Sequence, residues 1–409
     1  MSLPSTITAR LAPELYDLFL DEFRSSKSTL STCSLVCKAW LPRCRRHLFF
    51  SVNLRPDFVK FLRDSTHATA TIAPHIRSVG LGGMWMREQR EEFSDIIIFV
   101  TTLEDIRTIH METWSWTYLA SPVTTALLQG QGRIFQTLKV LDLKFIHFPS
   151  FSIFRTFASR FHELQELILD NVTWDVVGAD ASPSDHPPPF LSSLSTLKLL
   201  ACSNPPILSW LSGVAAEVGA PSVAPIRSLY LPEILPPETS LLGTFLSSIV
   251  SSLENLEIGF LTHNLVDTSA LRDAIGDIDL SLHTRLRTIC IHQLSLYQFP
   301  TSPSSPTTPP PDADVSPYIW LVPLLASIAP LELSQVTFNI WLGGESQLDL
   351  IDWTALVIIL ANPLLIKLEL VHFQVRGVDN DMDDEVRGWI AHRLQDWDGA
   401  QECVQVSLE

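Results

Sequence analysis

The chain has 409 residues, 46% hydrophobic and 18% charged, enough apolar material for a large core, which excludes a chain disordered throughout. Its net charge of −17 is unevenly placed: residues 1–60 carry nine Lys/Arg against five Asp/Glu, and residues 61–409 carry 19 against 40. So acidic a body excludes nucleic acid as the main ligand, because phosphate binding depends on neutralising basic groups, and favours basic or apolar protein partners.

The first ten residues, MSLPSTITAR, lack a basic segment followed by an apolar one, so no secretory signal is expected and the protein is assigned to the cytosol or nucleus. Residues 11–54 then predict three short amphipathic helices. Pro13 suits a first helical turn, where its missing N–H costs nothing. Leu11, Leu15, Leu18/Phe19 and Phe23 recur at helical spacing, and Tyr16 and Leu20 form a second stripe. That apolar arc is too wide for a surface helix. Ser28 or Thr29 is expected to cap a second helix carrying Leu30, Cys33, Leu35, Val36 and Cys37, while Trp40, Cys44 and Leu48 share one face of a third. A unit of roughly 40 residues is rarely stable alone, so the segment needs something to pack against.

Three stretches carry a resemblance: the start at Leu11, Pro13, Glu14 and Leu15, the run SLVCKAW from Ser34 to Trp40, and the exit RRHLFFSVNL from Arg45 to Leu54. In this order and without gaps they resemble the F-box, especially its fungal form, over residues 8–55. One position departs: the family usually opens Leu-Pro, whereas Ala12 follows Leu11 here. The resemblance implies docking onto the Skp-class adaptor of a cullin–RING ubiquitin ligase. The adaptor-binding residues it implies are Leu11, Pro13, Glu14, Leu15, Leu18, Leu35, Val36, Cys37 and Trp40. The rest of the chain would hold the protein to be ubiquitinated.

Beyond residue 60, three aliphatic residues spaced i, i+3, i+5 keep returning, at Ile76, Ile106, Leu138, Leu164, Leu194, Ile226, Leu253, Leu286, Leu333 and Leu365. Successive starts are 30, 32, 26, 30, 32, 27, 33, 47 and 32 residues apart, a period that signals a solenoid. The alternation is that of a short strand with one buried face. Helical returns are predicted at Phe151 to Phe161, Leu241 to Leu253, Leu356 to Ala361 and Val386 to Trp397. The expected fold class is therefore an α/β solenoid. Its units resemble leucine-rich repeats: an arc of about ten strand–helix units over residues 56–409, behind the three helices. The polar residue which that family places eight positions after each start is mostly apolar here: Trp114, Ile146, Val172, Ile234, Leu261, Leu294, Trp341 and Phe373, with Cys202 as the one fit. The tryptophans among these, with Trp174, are expected to wedge neighbouring units.

Three segments interrupt the pattern as loops: Ala181 to Pro189, Gly219 to Pro225, and a Pro-rich insertion over 300–317, which accounts for the long step of 47. The most apolar stretch, Ala355 to Ile366, is too short for a bilayer span and contains Asn362-Pro363, so no membrane association is expected. VQVSL at Val404 to Leu408 alternates and reads as a capping strand.

No chemistry-bearing motif emerges. Cys33, Cys37, Cys44 and His47 lack the paired knuckles of a structural zinc site and read as buried thiols. Six cysteines without framework spacing suit a reducing compartment. Asp379, Asp381 and Asp383 copy the start of a calcium loop, but Asp384 stands where it needs glycine. His162-Glu163 lacks the second histidine of a metalloprotease helix, and GLGG at Gly80 to Gly83 reads as a tight turn. The protein is therefore expected to be no enzyme and to use no cofactor or metal. The residue between the second and third aliphatic positions of each unit points away from the core. That row runs Gly80, His110, Asp142, Ile168, Lys198, Tyr230, Glu257, Cys290, Thr337 and Glu369, with Ile168, Lys198 and Tyr230 as candidate target-binding residues.

Overall fold

A computed structural model describes residues 12–82, 90–130, 132–175, 192–202, 204–217, 225–261, 275–295, 318–328 and 331–408. Leu11 and nearly all of the three expected loops lie outside them. The chain divides into two compact units, one of Met1–Ser182 and Pro188–Ser193, the other of Pro183–Pro187 and Leu194–Glu409.

The first unit opens with helices α1 (Pro13–Glu22), α2 (Lys27–Ser34) and α3 (Leu41–Leu48). Pro13 begins α1 as expected. The cap of α2 is Ser26 rather than Ser28 or Thr29: its hydroxyl accepts from the Thr29 N–H, so the helix starts earlier. It also ends earlier, which leaves Leu35, Val36 and Cys37 beyond it in the link to α3.

Strands β1 (Ser51–Asn53), β2 (Ser78–Leu81), β3 (Thr108–Ser115), β4 (Val140–Phe148) and β5 (Glu166–Asp170) pair in sequence order, all parallel, and the short β6 (Thr173–Trp174) also pairs with β4. Gly80 and Leu81 belong to β2, so the expected turn at GLGG does not begin at Gly80. In the second unit β7 (Thr196–Leu200), β8 (Ser228–Ile234), β9 (Asn255–Phe260), β10 (Thr288–Ser295), β11 (Gln335–Trp341), β12 (Leu370–Arg376) and β13 (Val404–Leu408) do the same. β13 is the expected capping strand. Parallel neighbours need a crossover, and helices such as Phe151–Ala158, Thr239–Ser248, Trp353–Leu360 and Asp383–Arg393 provide it.

The i, i+3, i+5 residues form the core. Leu141 in β4 sits beside Ile109 in β3 and Leu167 in β5, and all are at most 2% exposed. The pattern holds in nine units and slips in the tenth. Val336 and Phe338 align with Val371 and Phe373, both fully buried, whereas Leu365 and Leu368 are half-buried. The last unit thus starts at Leu368, three residues later than the sequence suggests. Leu365-x-x-Leu368-x-Leu370 mimics the spacing, and only the strand register separates the two frames.

The apolar residue at i+8 has a backbone cause. Thr113, Phe145, Asn171, Ala201 and Gln293, each at i+7, have φ between 48° and 61°. A left-handed residue breaks the alternation and turns the next side chain inward. Trp114, Ile146, Val172 and Leu294 are accordingly buried, and Cys202 is half-buried. Trp114 stacks between Phe93 and Trp116, and Trp174 packs on Phe151 and Phe154, so both wedge as expected. Trp341 does not: it is 50% exposed and lies over Gly377, whose φ of +87° and missing Cβ admit the indole. Left-handed backbone costs a non-glycine residue about 1–2 kcal/mol, most for a β-branched one. Thr113→Asn, a residue that tolerates this conformation, is therefore expected to raise stability by about 0.5–1 kcal/mol in urea unfolding. A loss of stability would contradict the strain.

Candidate functional site

Helices α1–α3 close over a small core of Leu20, Leu30, Cys33 and Cys44, with Phe23, Trp40 and Leu48 packed around it. Trp40, Cys44 and Leu48 thus converge as their spacing implies. Tyr16 is buried beside Trp40, its ring centroid 6.1 Å away. Half of the apolar arc of α1 is used in this way, and the other half is not. Leu15 is 51% exposed, Leu18 63% and Phe19 48%, and Leu35 in the following link is exposed as well. Glu14 is exposed, Val36, Cys37 and Trp40 are half-buried, and the Trp40 indole N–H is buried with no acceptor.

A charged hub that the hydrophobic pattern does not reveal locks α1 onto α3. Asp21 Oδ1 accepts from Arg43 Nε at 2.7 Å and lies 2.7 Å from His47 Nε2, while Oδ2 accepts from Arg43 Nη2; Asp17 stands 3.8 Å from Arg43. His47 pairs with Asp21, and Cys33 and Cys44 are buried in the core as expected, while Cys37 is half-buried. The Arg43 hydrogen bonds, helped by His47, hold the Asp21 carboxyl down at about 2. A depressed carboxylate contributes stability that is present above its unfolded value near 3.8 and lost as pH falls through about 2. Asp21→Asn is therefore expected to lower the melting temperature at pH 7, with the gap to the native chain closing as pH falls toward 2. A gap independent of pH would show that charge is not what locks the helices.

Each unit also carries a row of strand residues facing away from the core. Cross-strand register confirms it as Gly80, His110, Asp142 and Ile168 in the first unit, and as Lys198, Tyr230, Glu257, Cys290 and Thr337 in the second. Its last member is His372, not Glu369, because of the shifted final unit. Thr337 is buried under its neighbours, and most of the others are half-buried. Lys198 Nζ sits 4.8 Å from the Tyr230 ring centroid, so those two candidates come together; Ile168 stands in the other unit, beside Asp142. His110 Nδ1 meets Asp142 at 2.8 Å, and this carboxylate raises the imidazole above its usual range. Such cross-strand polar pairs follow from register and could have been read from the i+4 and i+6 positions once the units were aligned.

Asp383 opens the helix Asp383–Arg393 and pairs with Arg387 at 2.8 Å, as an N-terminal carboxylate on a helix dipole does. Among the described residues, no helix is long and apolar enough to cross a membrane. No family model and no curated protein matches the sequence. Among solved structures, the chain is similar to one in the crystal structure of the Rad7 and Elc1 complex in yeast, at 13% identity and a TM-score of 0.43, over 96% of this chain and 91% of that one.

Proposed function

We propose that this protein is the target-recognition subunit of a Skp/cullin/F-box ubiquitin ligase. In this reading α1–α3 are an F-box that docks a Skp-class adaptor, and the strand–helix units form a leucine-rich-repeat-like surface that holds a target protein. The observation that carries it is the divided apolar arc of α1. Tyr16 and Leu20 close the helical core, while Leu15, Leu18 and Phe19, neighbours at i, i+3 and i+4 on α1, stay exposed beside it as one apolar patch of the kind that marks a protein–protein contact. An incoming adaptor would cover these residues, together with the F-box-matching Pro13, Glu14, Leu35, Val36, Cys37 and Trp40.

The protein would contribute no chemistry of its own, and cytosol or nucleus is the compartment we assign to it. Its mechanism is proximity: holding a target's lysines beside a charged conjugating enzyme raises the effective concentration of the reactants. Calorimetric titration of the purified chain with a Skp-class adaptor tests the docking half, and absence of binding would overturn it.

A second reading, a non-catalytic scaffold in which the three helices only cap the sheet, draws on β1, which continues from them and pairs with β2. A cap buries its apolar face, and α1 leaves half of its own outside. For the target half, Tyr230→Ala with Ile168→Ser is expected to weaken target capture while adaptor binding persists. Unchanged recovery of every co-purifying target would remove these residues from consideration.

A further inference from the structure

Glu257 on β9 and Cys290 on β10 are register partners, and His292 lies two residues further along β10 on the same face. His292 is paired in register with Gly259, where a Cβ would come 2.8 Å from that of His292. The empty slot lets the imidazole lean toward Glu257, with Nε2 2.8 Å from Oε2. The thiol sulfur, an imidazole nitrogen and a carboxylate oxygen all lie within 4.8 Å of one another, each from a half-buried residue.

We propose that Glu257, Cys290 and His292 bind a zinc ion. Thiolate with imidazole selects zinc over calcium or magnesium, and one thiolate plus one carboxylate balance its two charges. Tetrahedral bonds of about 2.0–2.3 Å set ligands roughly 3.3–3.8 Å apart, so the ion enters with a small opening of the His292–Glu257 contact. Water completes the fourth position.

On binding, the S–H bond breaks, the proton leaves to solvent and the sulfur–zinc bond forms. One further feature fits. Asn339 Nδ2 donates to His292 Nδ1 at 2.9 Å and lies 3.4 Å from Cys290 Sγ, while its Oδ1 is buried with no partner. Zinc on Nε2 places the ring proton on Nδ1. The Asn339 amide, turned over, then accepts that proton on its orphaned oxygen and orients the ligand.

Cobalt titration of the full chain, reduced and metal-free, tests the site. One cobalt per chain is expected, with a near-ultraviolet thiolate-to-cobalt band that zinc abolishes. Cys290→Ser should lose the band, Glu257→Gln and His292→Ala should weaken binding more than tenfold, and Cys202→Ser and Cys403→Ser should keep both. Glu257→Gln, at a partly exposed position, preserves side-chain shape and gives a reading even if the Cys290 variant folds poorly. Absence of the band in the native chain, its survival in Cys290→Ser, or native cobalt affinity in Glu257→Gln would overturn the proposal. The adaptor reading is unaffected by any of these results.

Discussion

Replacing Leu15 and Leu18 together with aspartate is expected to abolish adaptor binding and leave the fold intact. Both side chains are more than half exposed, so neither change opens a cavity, and surface substitutions away from special features shift stability by about 0.5 kcal/mol or less. In the docked state, each carboxylate would enter an apolar interface without a partner, at a cost of several kcal/mol. Since about 1.4 kcal/mol is tenfold in affinity, a loss of at least 100-fold is expected. Leu20→Asp is the contrasting variant: Leu20 is fully buried, and its replacement should disrupt α1–α3 themselves. Calorimetric titration with a Skp-class adaptor, with circular dichroism as the fold control, reads both. Native affinity in the double variant would refute the docking surface.

Phe373→Ala is expected to cost about 3–5 kcal/mol, and Ile366→Ala about 0.5 kcal/mol or less. The first side chain is fully buried, stacked on Phe338 at 5.0 Å and close to Trp353, whereas the second is 80% exposed. Val371 tests the frame of the final unit: a start at Leu365 would make it the outward i+6 residue, whereas a start at Leu368 makes it the fully buried i+3 residue, so Val371→Asp is expected to be severely destabilising. Urea unfolding measures all three variants, and native stability in Val371→Asp would contradict the later start at Leu368.

The repeating strands were legible because buried faces impose strict alternation. In nine units the triplets from Ile76 to Leu333 are both the visible pattern and the buried core. The tenth misled because Leu365, Leu368 and Leu370 satisfy the same spacing by chance, and a frame error of three residues changes no local propensity. The left-handed residues at i+7 left no signal, since Thr113, Phe145 and Gln293 are not residue types that favour such backbone. Only Asn171 among them does. The apolar arc of α1 was readable from the sequence, but not which half of it would remain exposed, because that depends on how α2 and α3 pack. The Asp21–Arg43–His47 hub was hidden for the same reason: Asp21 is 22 and 26 residues from its two partners in sequence and meets them only in the folded helices. The Glu257, Cys290 and His292 cluster escaped because its donors come from two strands at no motif spacing.

Purification of the intact protein from cells under native conditions, with identification of the chains that accompany it, tests the central claim most directly. The account predicts a Skp-class adaptor and a cullin in the same complex, both lost in the Leu15→Asp/Leu18→Asp variant. Recovery of the folded protein with other partners, but with neither adaptor nor cullin, would contradict it.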